Sequence, residues 1–436
     1  MLRVAVIGSG PAGMYAIGHL LSEPDGVVAS VTLIDRLPTP FGLIRAGVAP
    51  DHQQTKKVQR GFGRHLRDPR VRCHFGVDVG RHITHADILA HHHAAIYAVG
   101  APGSRSLGIV GEQLPGSYAA TDFVAWYNGH PDAADMSFDL SSPRVMVVGS
   151  GNVALDVARI LTQPISKLRT TDISDRALAV LARSAVQEVV VLARGGPGSA
   201  SFTYPELLAL TQLDDVDLEI SADLNSVPEP PNYADRAKLQ LLREVTARRS
   251  RHGRRRIVLR FLTSPIEVLG HSRVVGLRLR RNEIRDGRVV PTSDISQLDT
   301  SLVLRSIGYR GRPVPGLPFD ENTGTIPHDA GRVSRGTYVT GWIKRGPSGV
   351  IGTNKYDAAE TVTTLLNDAN SGRIGTVLGS SAHFDKLIDR LDNAIGIPGW
   401  TAIDTYERQV GLRQNRPRVK ATDYAQLQRV ARSVVV

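Results

Sequence analysis

The chain has 436 residues, of which 41% are hydrophobic and 42 are glycine, and its formal net charge is +11. This length and composition predict two or three folded domains and exclude a disordered chain. The single cysteine, Cys73, excludes a redox-active disulfide and a four-thiolate iron–sulfur cluster built by this chain, and is expected to be a buried strand residue. No apolar run is long enough to cross a membrane, and no leader precedes the first predicted strand, so we expect a cytoplasmic protein without a membrane span.

The first motif lies at the N-terminus. The apolar residues 4–7 predict a strand, and Gly8-Ser-Gly-Pro-Ala-Gly13 connects that strand to a predicted helix. In this context glycines let backbone N–H groups and a helix N-terminus approach a pyrophosphate. The next predicted strand ends in Asp35, whose carboxylate can accept hydrogen bonds from ribose hydroxyls. These features predict one dinucleotide site.

A second motif of the same kind lies further along the chain. Gly149-Ser-Gly-Asn-Val-Ala154 follows the apolar residues 145–148, and the next predicted strand, residues 189–193, ends in Arg194. A guanidinium there suits a ribose 2′-phosphate. The chain is therefore predicted to hold two different dinucleotides, the second phosphorylated. Two dinucleotides indicate a redox relay in which a nicotinamide delivers hydride to a flavin.

Two further predicted strands, residues 94–99 and 301–307, are each followed by a turn that begins with glycine, Gly100 and Gly308. These matching exits predict a nested arrangement, in which the chain leaves the first domain near residue 102 and returns to it near 310. The predicted segments are 1–102, 103–308 and 309–436.

The C-terminal part begins with a predicted strand and a glycine-rich turn within residues 336–354. A helix predicted over 355–367 would start after Gly349-Val-Ile-Gly352, so its N-terminus can face an anion or a carbonyl. Further helices are predicted over 384–395 and 405–410, followed by a basic tail. No chemistry is assigned to residues 368–436.

Seven arginines lie within residues 248–260. Such a run is most often a solvated loop, and the functional alternatives are an acidic protein partner or nucleic acid. No nucleic-acid-binding signature accompanies it, so we prefer an acidic partner and expect no nucleic acid. If this segment is not the docking site, Lys344 and Arg345 are the next candidates.

Three consecutive histidines, His91, His92 and His93, could suggest a metal site. Adjacent helical positions point in different directions and cannot share one face. The sequence therefore predicts solvated residues at a helix end, and no metal.

Several longer motifs resemble the adrenodoxin-reductase family of ferredoxin–NADP⁺ reductases, in its actinobacterial form. They are Pro38-Thr-Pro-Phe-Gly-Leu-Ile-Arg45, Gly47-Val-Ala-Pro-Asp-His52, Gly151-Asn-Val-Ala-Leu-Asp-Val-Ala-Arg159, Phe261-Leu-Thr-Ser-Pro265 and residues 341–354. The resemblance spans nearly the whole chain. It implies an α/β fold of two nested Rossmann-like (glutathione-reductase-type) dinucleotide-binding domains, with an NADP-binding domain inserted into an FAD-binding domain.

The resemblance also implies which residues contact each cofactor. Those implied for FAD are Gly8, Gly10, Ala12, Gly13, Asp35, Leu43, a backbone group near Val77, Trp342, Gly349, Val350 and Ile351. Those implied for NADP are Arg105, Asn152, Val153, Ala154, Leu155, Arg194, Glu206 and Gly349.

His52 and Glu206 match positions that the family is thought to use near the nicotinamide, so the resemblance implies that they orient and tune the site. The alternative for Glu206 is an acid in the first turn of a helix, favoured by the helix dipole. The alternative for His52 is a loop histidine bonded to backbone.

Two departures from the family pattern affect this prediction. Asp35 stands where the family usually has glutamate, one methylene longer. Gly195 stands where the family usually has a second arginine. Because a paired clamp is a large part of phosphate recognition, we expect a weaker preference for NADP over NAD than in relatives with two arginines.

The sequence thus predicts an NADPH–ferredoxin oxidoreductase, a monomer that contains FAD and serves an acidic iron–sulfur ferredoxin. One alternative is a diaphorase-type flavoprotein that serves a flavodoxin, a quinone or another acceptor. Another is a non-catalytic flavin-based sensor that binds a partner through the arginine-rich segment. Steady reduction of added ferredoxin by NADPH distinguishes them.

Overall fold

The computed structural model describes residues 1–247, 255–377 and 379–433. The chain divides into two compact units. The first comprises Met1–Val48, His52–Gly103 and Tyr309–Val436, and the second comprises Ala49–Asp51 and Ser104–Gly308.

In chain order, the strands are β1 (Leu2–Ile7), β2 (Val28–Asp35), β3 (Val71–Phe75), β4 (Ala94–Tyr97), β5 (Gly103–Ser104), β6 (Ser117–Ala119), β7 (Arg144–Val148), β8 (Glu188–Leu192), β9 (Val216–Ser221), β10 (Arg255–Arg260), β11 (Thr263–Leu269), β12 (Gly276–Arg285), β13 (Arg288–Asp299), β14 (Leu302–Arg305), β15 (Tyr309–Arg310), β16 (Arg332–Ser334) and β17 (Thr337–Val339). The helices are α1 (Pro11–Leu21), α2 (Leu43–Ala46), α3 (Gln53–Lys56), α4 (Gln59–His65), α5 (His85–His91), α6 (Ala120–Tyr127), α7 (Asn152–Thr162), α8 (Ile165–Leu168), α9 (Asp175–Leu181), α10 (Tyr204–Thr211), α11 (Tyr233–Ala247), α12 (Trp342–Arg345), α13 (Thr353–Asn370), α14 (Ser381–Asp389), α15 (Ile397–Arg413) and α16 (Tyr424–Arg432).

The first unit is built on a six-stranded sheet of order β16-β17-β4-β1-β2-β3. Its strands are parallel except for β16, which runs antiparallel to β17. Successive residues of β1 point to opposite faces. Val4 and Val6 pack with α1, α4 and α13, whereas Ala5 and Ile7 pack with α5 and α14. Both faces of the sheet are therefore covered, as is usual for a parallel sheet.

The second unit is built on a six-stranded parallel sheet of order β6-β14-β7-β8-β10-β9. Val145 and Val147 of β7 pack against helices that include α6, α7 and α10. Met146 and Val148 instead pack against residues of the three-stranded antiparallel sheet β11-β12-β13. This small sheet, which sequence analysis did not predict, covers the second face.

The predicted α/β class with two Rossmann-like sheets is confirmed. Each glycine motif connects a strand to a helix, β1 to α1 and β7 to α7. The strands predicted over 94–99 and 301–307 are β4 and β14, which lie beside β1 and β7. Cys73 is buried in β3, and burial raises the pKa of its thiol to about 12.

The C-terminal helices differ from the prediction. The helix predicted over 384–395 is α14, which ends at Asp389, and the one predicted over 405–410 is the much longer α15. Pro398 lies in the first turn of α15, where a missing N–H costs nothing. The basic tail contains α16.

The prediction of solvated histidines is wrong for His91 and His92, whereas His93 is partly exposed. His91 and His92 are buried, because α5 packs against α14. His92 makes contacts through both ring nitrogens, to Ile88 O at 3.0 Å and Thr32 Oγ1 at 2.9 Å. Burial lowers the pKa of His92 to about 4. The Nδ1 atom of His93 accepts a hydrogen bond from the Arg3 N–H. These residues hold the helix end in place.

Within the described residues, no helix combines the length and apolar character that crossing a bilayer requires.

Candidate dinucleotide-binding sites

The two glycine turns are built in the same way. Gly8 N–H donates to Ile34 O at 2.8 Å, and Gly149 N–H donates to Leu192 O at 2.9 Å. Both glycines have positive φ, +104° and +123°. A Cβ at Gly8 would overlap the carbonyl of Ala98, and one at Gly149 would overlap the Ser306 carbonyl. Only glycine fits these two positions, because the neighbouring strand approaches too closely for a side chain.

The third residue of each motif lies at an open helix N-terminus. Gly10 caps α1 and Gly151 caps α7, and both have ordinary extended backbone angles. No atom lies within 4 Å of the place that a Cβ would take at either residue. The first N–H groups of a helix have no partner within it, and the helix dipole favours an anion there. Each turn is thus an open cradle that fits a pyrophosphate.

Asp35 lies at the end of β2, beside the first cradle, and is buried. Its Oδ2 accepts hydrogen bonds from the Ser9 N–H at 2.7 Å and the Ser9 hydroxyl at 2.5 Å. Its Oδ1 accepts one from the Leu37 N–H at 2.8 Å. A carboxylate offers about four acceptor positions, so one remains for a ribose hydroxyl. The sequence indicated Asp35 but not the three protein donors that fix its orientation.

Arg194 follows β8, beside the second cradle, and is exposed. Its carbonyl accepts a hydrogen bond from Asn282 Nδ2 at 3.0 Å, and the carbonyl of Gly195 accepts one from the Leu262 N–H at 3.0 Å. The main chain is therefore fixed. Among the described residues the guanidinium of Arg194 makes no hydrogen bond or ion pair, which leaves it available to a phosphate.

Two more residues implied for NADP lie in the second unit at surface positions. Arg105 is exposed, and its N–H donates to Gly308 O at 3.1 Å, just beyond β14. Asn152 begins α7, and its Oδ1 accepts a hydrogen bond from the Thr203 N–H at 2.8 Å. The residues after it, up to Leu155, form the first turn of α7. Asn152 therefore connects the second cradle to the start of α10.

Glu206 lies in the first turn of α10. This position agrees with the alternative in which it is an acid favoured by the helix dipole. It also approaches Arg159, with 3.5 Å between Oε2 and Nη1. Arg159 is buried and binds Asp51 and Asp156 at 2.7 Å each. Burial disfavours the Arg159 charge, but these carboxylates outweigh it and raise the arginine pKa. Sequence analysis missed this cluster of carboxylates.

His52 lies in the first unit, at the residue that precedes α3. Its carbonyl accepts a hydrogen bond from the Lys56 N–H at 3.3 Å. Leu43 is half-exposed at the start of α2. Val77 is buried, and its N–H donates to Asp35 O at 2.9 Å, which leaves the Val77 carbonyl as the backbone group that an adenine could meet.

The C-terminal glycine-rich turn leads into α13 and leaves the N-terminus of that helix accessible. Trp342 begins α12, and its indole N–H donates to Ser348 O at 3.1 Å. Gly349 has a φ of +78°, and Gly352 caps α13 with no atom within 4 Å of a Cβ. Within the described chain, the N–H groups of Ile351 and Gly352 donate to no protein acceptor. Free N–H groups of this kind can donate to a carbonyl or an anion.

Asp357 on α13 holds this turn together. It binds Lys344 at 2.9 Å and Arg345 at 2.8 Å, and it accepts a hydrogen bond from the Gly341 N–H. Lys344 is buried and also binds Glu360. The suggestion that Lys344 and Arg345 form a docking site is therefore wrong, because their charges are already neutralised within the first unit.

The described part of the arginine-rich segment has a structural role as well. Residues 248–254 lie outside the described residues. Arg255 donates to the carbonyls of Leu161 and Gln163 at 3.3 Å, at the end of α7, and Arg256 binds Glu188. Residues 255–260 form β10 rather than a docking loop, because the apolar residues between the arginines are buried and the strand pairs with β8 and β9.

A buried ion-pair cluster attaches the C-terminal helices to the motif that ends at Arg45. Glu407 on α15 is fully buried and binds both terminal nitrogens of Arg45, at 2.5 and 2.8 Å. It also binds Arg418 at 2.9 Å. Burial raises a carboxyl pKa, but Arg45 and Arg418 outweigh it and lower the pKa of Glu407. This cluster gives a role to a segment for which the sequence indicated none.

Replacing Glu407 with glutamine is expected to destabilise the first unit strongly. The change leaves buried Arg45 without a counter-charge and leaves buried Arg418 with Asp404 alone, and removing one partner of a buried ion pair typically costs about 3–5 kcal/mol. Equilibrium unfolding and the rate of flavin release measure the effect. The control is Arg408→Gln, which removes an exposed ion pair with Asp404 and should cost below about 1 kcal/mol. Equal losses in the two variants would contradict a structural role for the buried cluster.

Comparisons with known proteins agree with this geometry. The model of the family described as pyridine nucleotide-disulphide oxidoreductase matches residues 2–192. A probable ferredoxin/ferredoxin–NADP reductase of Mycobacterium tuberculosis is 46% identical, over 99% of this chain and 76% of its own length. The mitochondrial NADPH:adrenodoxin oxidoreductase of Salvelinus fontinalis is 36% identical, over 99% of this chain and 91% of its own.

A solved structure is similar over the whole chain. Mycobacterium tuberculosis FprA in complex with NADPH superposes with a TM-score of 0.95 at 42% identity, over 99% of both chains. The similarity therefore covers both units described above.

Proposed function

This chain belongs to the adrenodoxin-reductase family of ferredoxin–NADP⁺ reductases, and from that premise we propose that it oxidises NADPH and passes the electrons, by way of FAD, to an iron–sulfur ferredoxin. One observation carries the proposal. The two glycine turns are built alike, but the charged residue beside each one differs in sign. Beside the first turn lies the buried carboxylate of Asp35, and beside the second lies the exposed guanidinium of Arg194. The first suits a ribose hydroxyl, and the second suits a ribose 2′-phosphate.

The first unit fits FAD. The open cradle at Gly10 would hold the pyrophosphate, with the N–H groups of Ala12 and Gly13 directed at it. Asp35 would accept the adenosine ribose, Leu43 and the Val77 carbonyl would line the cofactor, and Trp342 with the turn from Gly349 to Ile351 would face the flavin. Bound flavin converts two-electron chemistry into single-electron transfers.

The second unit fits NADPH. Gly151 and the first turn of α7, residues 152–155, would receive the pyrophosphate, while Arg194 and Arg105 would bind phosphate oxygens. We assign residues 1–102 and 309–436 to FAD and residues 103–308 to NADP. Each NADPH gives two electrons and a proton, so it reduces two ferredoxins.

We assign positioning roles to His52 and Glu206. Hydride transfer depends on the stacking geometry of the two rings more than on proton transfer, so residues that orient the nicotinamide matter most. The ion pair between Glu206 and Arg159 supports this role, because it ties the start of α10 to α7. Gly349 would face both cofactors.

Stopped-flow mixing tests the function. Anaerobic NADPH should bleach the flavin absorbance of the purified yellow protein. When a [2Fe–2S] ferredoxin is then added, two ferredoxin molecules should be reduced for each NADPH oxidised. Rapid bleaching without any ferredoxin reduction would favour a diaphorase that serves another acceptor. Slow bleaching with nucleotide-dependent partner binding would favour a sensor. An acidic partner, a monomeric state and a cytoplasmic location are three further proposals, and size-exclusion chromatography of the same preparation tests the second.

Arg194→Ala is expected to impair the use of NADPH selectively. Losing one charge-assisted phosphate contact costs about 1.5–3 kcal/mol, so kcat/KM for NADPH should fall roughly ten- to a hundredfold. NADH lacks the 2′-phosphate and should be used almost as well as before. Steady-state kinetics with both coenzymes measure the difference, and equal losses would contradict the assignment.

Gly195→Arg is the matched gain-of-function variant. A Cβ there would lie 2.7 Å from Ser199 Oγ, a hydroxyl that can rotate away. The paired arginines should raise the preference for NADPH above that of the parent protein. An unchanged preference would indicate that the loop after β8 does not reach the 2′-phosphate.

A further inference from the structure

Helix α4 and the turns on either side of it carry a row of exposed cations. The row, which we call the basic stripe, consists of Lys57, Arg60, Arg64 and Arg67. Each residue lies three or four positions after the previous one, which places all of them on one side of a helix. With a rise of 1.5 Å per residue, the stripe is about 15 Å long.

The other side of this helix is fixed to the first unit. Phe62 and Leu66 are buried in the hydrophobic core that contains Val4 and Val6, on one face of the six-stranded sheet of the first unit. The ring of Phe62 meets the ring of Tyr15 on α1 edge-on, with 5.0 Å between centroids. Since α1 begins at the Gly10 cradle, the basic stripe is attached through one helix to the proposed FAD site.

The charge of the stripe is not neutralised nearby. The sequence contains no aspartate or glutamate from Gln53 to Arg67. The next acid, Asp68, is bound by Arg70 at 3.1 Å. Within the part of the chain that the structure describes, the four stripe side chains make no hydrogen bond or ion pair, in contrast to Lys344 and Arg256, which have carboxylate partners.

We propose that the basic stripe is the docking surface for the acidic iron–sulfur protein that receives electrons, an inference that rests on the proposed function. A row of unneutralised cations attracts an acidic partner over a longer range than a paired surface does, and it raises the rate of encounter. The stripe also lies in the unit that would hold the flavin, from which the electrons leave.

Charge reversal tests the proposal in the holoenzyme. The variant is Arg60→Glu with Arg64→Glu, and the probe is a purified acidic [2Fe–2S] ferredoxin, followed by its absorbance. At low ionic strength kcat/KM for ferredoxin should fall about tenfold, because attraction between oppositely charged surfaces raises the association rate most when little salt is present. The difference should nearly vanish near 1 M salt, where the screening length is about 3 Å.

The matched control is Lys386→Glu on α14 with Arg390→Glu just after it. Both control residues are exposed, and α14 packs on the opposite face of the same sheet. Both double variants change the net charge by the same amount. The control therefore distinguishes an effect of the basic stripe from an effect of the protein's total charge. Reduction of ferricyanide by NADPH should be unchanged in both variants, since this small acceptor needs no docking surface.

The outcomes separate the two proposals. A loss confined to the stripe variant and to ferredoxin supports docking at α4. Equal losses in both variants, or wild-type rates and salt dependence in the stripe variant, would overturn it. If the parent protein reduces ferricyanide but not ferredoxin, the proposed function fails, and docking fails with it.

Discussion

The Gly10→Val variant is expected to lose its flavin. The new side chain would project into the open cradle at the start of α1, where no protein atom lies within 4 Å of the Cβ. It would fill the space proposed for the FAD pyrophosphate and keep the phosphate from the helix N–H groups. Loss of two hydrogen bonds to a charged group costs about 3–6 kcal/mol, so the affinity should fall more than about a hundredfold. The measurement is the FAD released per mole of denatured protein.

The fold should tolerate this substitution. Gly10 has φ −69° and ψ −179°, a region that a β-branched residue adopts readily and that the following proline favours. Gly63→Val is the matched control, because a Cβ there also meets no atom within 4 Å but lies on α4. The control should be yellow, and both variants should keep the parent circular dichroism. Full flavin content in Gly10→Val would contradict the assignment of the first cradle to FAD.

The parts of the fold that could be predicted from the sequence are local ones. The turns at Gly8 and Gly149 need a positive φ that only glycine adopts easily, and buried strands of a parallel sheet appear as short apolar runs. The positions of Asp35 and Arg194 beside the two turns could be predicted, because a charge at the end of the next strand has a known geometric relation to the turn. These features depend on residues close together in the sequence or on one regular unit.

The missed features depend on distant partners. Arg45 and Glu407 lie 362 positions apart, and nothing in the sequence near either residue indicates the other. His92 is buried because α14 packs over α5, an association that the local polarity of three histidines conceals. Arg255 and Arg256 look like part of a solvated run, although the apolar residues after them form a strand that is paired on both sides, with β8 and β9. Charged residues at the end of a buried strand can find partners on its neighbours, and composition alone does not reveal this.

The Gly151→Val variant is expected to keep its flavin but to lose the reaction with NADPH. Gly151 is the counterpart of Gly10 in the second unit, with φ −95° and ψ 176° and no atom within 4 Å of a Cβ. A valine would occupy the proposed site of the NADPH pyrophosphate at the start of α7. The same loss of hydrogen bonds to a charged group should raise KM for NADPH by more than about a hundredfold. NADH should be affected equally, because both coenzymes have the pyrophosphate.

This pattern differs from that of Arg194→Ala, which should spare NADH. The Gly151→Val protein should still be reduced by dithionite and should then pass electrons to ferredoxin at the parent rate, since the first unit is unchanged. Gly63→Val again serves as the control for adding a valine side chain. If NADPH reduces Gly151→Val with the parent KM, the second cradle does not bind the nicotinamide coenzyme. If the variant is colourless instead, the two cradles are not independent, and the assignment of one dinucleotide to each unit is wrong.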